Sequence, residues 1–252
     1  MGKKMLRMVI FAVMLLFVSG AGFATPSTTY WSPCVMDVQP AGVWHFTYDN
    51  YSNRRTNDYA FTNDLGLTYG LKLSEDVNME LGFDWLSDVN YPVFFNAKLG
   101  IPEGKLSPNS PGINVGIFGV GTKKYDATTG VGTNQNIFDF ILGKTVGRGR
   151  LHAGYYNGND NILVSSDGNK EGDGFMFGFD YGYNPVEDSE GTYNKYVIAG
   201  DYMSGDNLWG GGGVGLYWYF TRNASLLVGP VWYNDQGING KVKWTTQIDI
   251  NF

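Results

Sequence analysis

Cysteine is almost missing. Cys34 is the only one among 252 residues, so the chain can close no disulfide within itself and can build no thiolate zinc site. Histidine is nearly as scarce. His45 and His152 are the only two, and no serine stands at a spacing from either that suggests a serine–histidine pair. The sequence therefore points to no catalytic set, no metal site and no cofactor. Charge is sparse as well, and acids outnumber bases by 24 to 18, which is a poor balance for holding nucleic acid. Beyond the N-terminus there is no long hydrophobic run, so nothing in the body of the chain can cross a membrane as a helix. If that body lies in lipid, a closed barrel of strands is the remaining way to satisfy its backbone.

What is present begins with a leader. Lys3, Lys4 and Arg7 precede an apolar run from Met8 to Val18, which ends in small residues around Gly22 and Ala24. A run of that length rises only about 16 Å as a helix, roughly half of a hydrocarbon core, so it reads as a signal peptide over 1–24 rather than an anchor. Its removal leaves 15 basic against 24 acidic residues. Residues 25–41 carry Pro26, Pro33 and Pro40, show no alternation, and are expected either to rest in the periplasm or to fold into a lumen. Cys34 lacks the small-residue lipobox of lipoproteins and reads as an unpaired thiol.

From residue 42 onward the dominant signal is a period of two. Tyr59, Phe61, Leu65, Leu67, Tyr69, Leu71 and Leu73 alternate with Ala60, Thr62, Asp64, Gly66, Thr68, Gly70 and Lys72. Phe175, Phe177, Phe179 and Tyr181 alternate in the same way with glycines, Met176 and Asp180. One face meets an apolar medium and the other is expected to meet water. A soluble sandwich also alternates, but its strands average shorter. Candidate strands fall at 42–52, 59–73, 77–86, 91–101, 113–121, 136–146, 150–157, 174–183, 195–204, 213–220, 224–233 and 241–252. Twelve is an even number, as a bacterial single-chain barrel requires. The expectation is one all-β domain over 42–252, a closed antiparallel transmembrane barrel.

Connections taken alternately form two sets. Ser74–Asp76, Gly147–Gly149 and Thr221–Asn223 are tight, as periplasmic turns should be, while 122–135, 158–173 and 234–240 are longer and polar. The connections 102–112 and 184–194 break this trend. Tyr59, Trp85, Tyr91, Tyr181, Trp218, Trp232 and Trp244 fall near strand ends and suit interfacial belts. The loop Ser166–Gly174 has alternating oxygen ligands but lacks the bidentate glutamate of a calcium loop, and it reads as solvated. The glycine-rich stretches 119–121 and 210–213 lack the dinucleotide fingerprint and read as strand glycine.

The last strand ends in Trp244, Ile248, Ile250 and Phe252 on one face. It resembles the C-terminal assembly signal of bacterial outer-membrane barrels, which implies outer-membrane lipid and the barrel-assembly machinery as partners. The hairpin from Ala97 to Gly121 is similar to hairpins of barrels associated with exopolysaccharide export. By parity the lumen should be lined by His45, Asp49, Asp64, Lys72, Glu80, Asp84, Lys98, Asp139, His152, Asp180, Lys195, Asp201, Lys241, Lys243 and Asp249. Many other inward positions are Gly, Ala, Ser or Thr, which should leave space. The favoured expectation is a diffusion channel or small-solute transporter with a modest cation preference. Its rival is a non-conducting structural or assembly barrel, with an outer-membrane hydrolase third. Oligomeric state stays open.

Overall fold

The computed structural model describes residues 28–52, 62–87 and 89–252. The expected leader over 1–24 and Tyr59 lie outside the described residues. Twelve strands follow one another: β1 (Trp44–Ser52), β2 (Thr62–Lys72), β3 (Asn78–Leu86), β4 (Val93–Ile101), β5 (Gly112–Gly121) and β6 (Asn134–Val146). The second half is β7 (Gly149–Asn157), β8 (Asp173–Asp188), β9 (Gly191–Met203), β10 (Gly211–Thr221), β11 (Ala224–Tyr233) and β12 (Val242–Asn251). A single short helix, α1 (Gln236–Asn239), precedes the last strand among the described residues.

Each strand pairs antiparallel with its sequence neighbours, and β1 pairs with β12 from His45↔Asn251 to Ser52↔Trp244. The sheet has no free edge. Both ends of the barrel segment meet at one rim, where Trp44 and Phe252 exchange backbone hydrogen bonds of 2.8 and 2.9 Å. That rim also carries the tight turns, as the rim expected to face the periplasm should. Of the two connections that broke the trend, 184–194 proves to be strand: β8 and β9 run on through Pro185↔Asn194 to Asp188↔Gly191. Pro185 and the left-handed Asn184 (φ 56°) interrupt the alternation there, which is why periodicity ended the strand early. The connection between β4 and β5 remains a long loop over 102–111.

Alternation sorts the side chains as expected. Leu151, Phe175, Phe177, Trp218, Trp232 and Trp244 are all exposed on the outer wall, as are Trp85 and Tyr181, while Tyr91 is exposed in the connection before β4. An apolar aromatic surface of this extent is tolerable only against lipid, and the wall is that of a transmembrane barrel. The inner face differs from the expectation of water. Ile137, Ile141, Tyr156, Met176 and Met203 point inward and pack into a dry core, and Tyr217, Leu227, Val231 and Tyr233 form a second one. Period two reports that a strand's faces differ, not what fills the inside.

Candidate functional site

What fills the inside is the N-terminal segment 28–41. Pro33 and Pro40 lack the N–H that strand pairing needs, so the segment stays irregular and finds its partners in side chains of the barrel wall. It enters beside the periplasmic rim, where Gly42 and Gly70 are hydrogen-bonded, and rises along the wall. Gln39 N–H donates to Glu80 (2.7 Å), Asn114 Nδ2 donates to the Val35 carbonyl (2.8 Å), and Lys98 Nζ reaches the Pro33 carbonyl (3.4 Å). Arg150 bridges Asp37 of the segment and Asp180 of the wall.

At the apex the Asp201 carboxylate accepts from three consecutive backbone N–H groups, those of Tyr30, Trp31 and Ser32, at 2.9–3.1 Å. A buried carboxylate holding three donors is a strong, directional clamp. Above it, the Trp31 ring is boxed by Tyr51, Trp209 and Tyr233, with centroids 5.3–5.7 Å away. Trp31 Nε1 donates to the Trp209 carbonyl (2.8 Å). The segment then turns back, and Thr29 accepts from the Tyr217 hydroxyl.

Glycines make the room. A side chain at Gly213, Gly215 or Gly229 would strike Tyr30, one at Gly143 would strike Met36, and one at Gly178 would strike the Cys34 carbonyl. The small inward residues that suggested open space are a mould for residues 28–41. Toward the far end described loops fold inward: Leu163 is fully buried, and Leu208 and Trp209 pack on the same core. Trp209 Nε1 is tied to Gln135 (2.8 Å). At the periplasmic rim a cavity of about 410 Å³ remains, lined by Arg148, Arg150, Tyr219 and Arg222 and roofed by Thr29 and Val35.

The wall from β12 through β6 collects most of the residues predicted to line a lumen. His45 is buried, with Nδ1 3.0 Å from Asn251 Oδ1 and Nε2 3.5 Å from Asp249. Asp49 accepts from Thr47 and stands opposite Asp64, while Asp84 accepts from Asn96 (2.9 Å). Glu80, Lys98, Gly116 and Asp139 are successive cross-strand partners, so one level carries acid, base, gap and acid. Most of these groups are packed rather than lining a passage: His45, Glu80, Lys98, Asp139, Asp201 and Asp249 are buried, while Asp49, Asp64 and Asp84 are half-buried.

Elsewhere, His152 Nε2 lies 3.2 Å from Asp180 on the inner side, and Lys243 sits over the Tyr233 ring. Lys72 is half-exposed at the rim, paired with Glu75. Lys241 is exposed and stands before β12 begins, outside the wall it was expected to line. The imidazoles face Asn251, Asp249 and Asp180, and Ser225 donates to the far oxygen of Asp249 (3.3 Å) rather than to the His45 ring. The 166–174 loop is held by Asp235, which accepts from Ser166 N–H (2.6 Å). No group of three or more metal-ligating side chains occurs among the described residues.

Sequence reasoning missed Tyr30, Trp31, Asp37, Gln39 and Arg150. The signal available was an aromatic pair in a proline-punctuated stretch beside a barrel unusually rich in inward glycine.

No protein-family model matches the sequence, and comparison with curated proteins gives no match. Among solved structures the chain is similar to the NanC porin, with 10% identity over 83% of this chain and 98% of that one and a TM-score of 0.49. An outer membrane channel from Pseudomonas putida F1 shares 13% identity over 91% and 100%, with a TM-score of 0.42. Outer membrane phospholipase A from Escherichia coli shares 12% over 86% and 94%, with a TM-score of 0.43.

Proposed function

We propose that the protein is a non-enzymatic outer-membrane barrel that does not conduct in its resting form and serves as a membrane-embedded scaffold of the cell envelope. The observation that carries this reading is the clamp of Asp201 on Tyr30, Trp31 and Ser32, which makes residues 28–41 part of the core instead of a loose occupant of a pore. The N-terminal leader and the terminal aromatic strand favour export and delivery by the barrel-assembly machinery. The Ala97–Gly121 hairpin is the pointer to polysaccharide export as the setting. Single-channel recording of the purified mature protein in planar bilayers tests the reading. A flat trace is expected, and reproducible unitary openings of the unmodified protein would overturn it.

A second reading has its own support. Asp49, Asp64 and Asp84 cluster on one wall, and displacement of residues 28–41 would expose that wall to a cation path for small hydrophilic solutes.

A further inference from the structure

The outer wall is not uniformly bulky. Across β6 to β9 most outward positions carry Leu, Phe or Tyr, yet Ala153, opposite Phe177, is small and exposed and breaks the surface, while the outward Gly200 is covered by the ring of Phe179 opposite it. The result is a groove of about 640 Å³, walled by Leu142, Leu151, Phe177, Phe179 and Tyr202. All five of those walls face the outside of the barrel. The groove therefore lies in the apolar band, where water has no polar partners to hold it and an empty space of this size forfeits its contacts.

Its periplasmic end is not apolar. Lys144 stands two residues before the end of β6, and its ammonium meets Glu103 (2.8 Å) and the Asn109 carbonyl (3.2 Å). An ammonium has three donors, so one is left, and the side chain is 43% exposed. A lysine at this height carries its charge to the level of lipid headgroups.

We infer that the groove is a binding site for one phospholipid of the periplasmic leaflet, with an acyl chain lying over Ala153 against the Phe177 and Phe179 rings and a phosphate oxygen taking the remaining donor of Lys144. The apolar walls fit a hydrocarbon chain, and the single ammonium at one end sets its direction. This site depends on the wall facing lipid and not on whether the lumen conducts.

Native mass spectrometry of the intact mature barrel, released from mild detergent after addition of dioleoylphosphatidylglycerol, tests the assignment. The unmodified protein should keep one lipid under activation that strips the rest. Ala153→Phe fills the groove and should lower that occupancy about fivefold, and Lys144→Met about threefold, each equivalent to roughly 1 kcal/mol or less. Val228→Phe, on the outer face of β11, should change nothing. Heat-modifiable gel mobility verifies that each variant is folded. Equal retention in Ala153→Phe, or no retained lipid in the unmodified protein, overturns the site. A dimer that Ala153→Phe abolishes would assign the groove to a second copy of the chain and overturn it as well.

Discussion

The carboxylate of Asp201 accepts a hydrogen bond of 3.0 Å from the backbone of Tyr30, a residue 171 positions earlier in the chain. The contact joins β9 to the segment that precedes the first strand, and it decides whether the barrel is a tube or a solid.

Asp201→Ala leaves the N–H groups of Tyr30, Trp31 and Ser32 without their acceptor in a buried place, at a cost of roughly 3 kcal/mol. Cys34 reports the consequence. It is fully buried, and burial pushes its thiol well above the ordinary value, so it should be almost inert in the intact barrel. Maleimide labelling should run about 100-fold slower than in unfolded protein and speed up about tenfold in Asp201→Ala. Unchanged protection in the variant would show that the clamp does not hold the segment.

Phe252 closes the barrel by exchanging backbone hydrogen bonds with Trp44 while its side chain faces outward. Phe252→Asp should reduce the folded, heat-modifiable band in membrane fractions. An equal yield of folded protein would remove the C-terminal strand from the assembly argument.

Leu67→Arg places a cation on the lipid face and should cost about 2 to 4 kcal/mol. From parity alone, Thr68→Arg points into water and should be harmless. The packed interior reverses that expectation, because Thr68 is buried and its hydroxyl lies over Gly82. Overpacking there should cost about 1 to 3 kcal/mol or more, so denaturant titration should find both variants destabilised. A neutral Thr68→Arg would mean that the lumen is open.

The loop 102–111 is pinned by Glu103. Hydrogen bonds from Lys144 and then Thr145 lower its pKa from 4.5 to about 2. A lowered folded-state value means that the contribution is complete above 4.5 and is lost as pH falls through about 2. Glu103 is solvent-facing, so screening keeps the effect local and small. The Thr145 amide, which donates to Glu103, should shift with a midpoint near 2 and cease to titrate in Glu103→Gln. A midpoint at the ordinary value would dissolve the proposed tether.

Deleting residues 28–40 should convert the barrel into a conductor with a modest cation preference that weakens as salt rises, because Asp49, Asp64, Glu80 and Asp84 line the uncovered wall. Asp64→Asn with Glu80→Gln should shift the reversal potential toward zero under a potassium chloride gradient. An anion-selective value would contradict this wall as the conducting path.

Alternation along the chain determined the barrel, its strand count and the outward set from Phe175 to Tyr181, because a strand's side-chain period is a local property written directly in residue order. The same local rule lost the hairpin through Pro185, where the period breaks while the pairing continues. The glycines at 178, 213, 215 and 229 were legible as small, but not as a mould. Whether Asp201 lines water or grips Tyr30 depends on closing β1 against β12 around residues 28–41. Only the tertiary structure decides that, since the partners lie far apart in sequence and the segment has no period of its own.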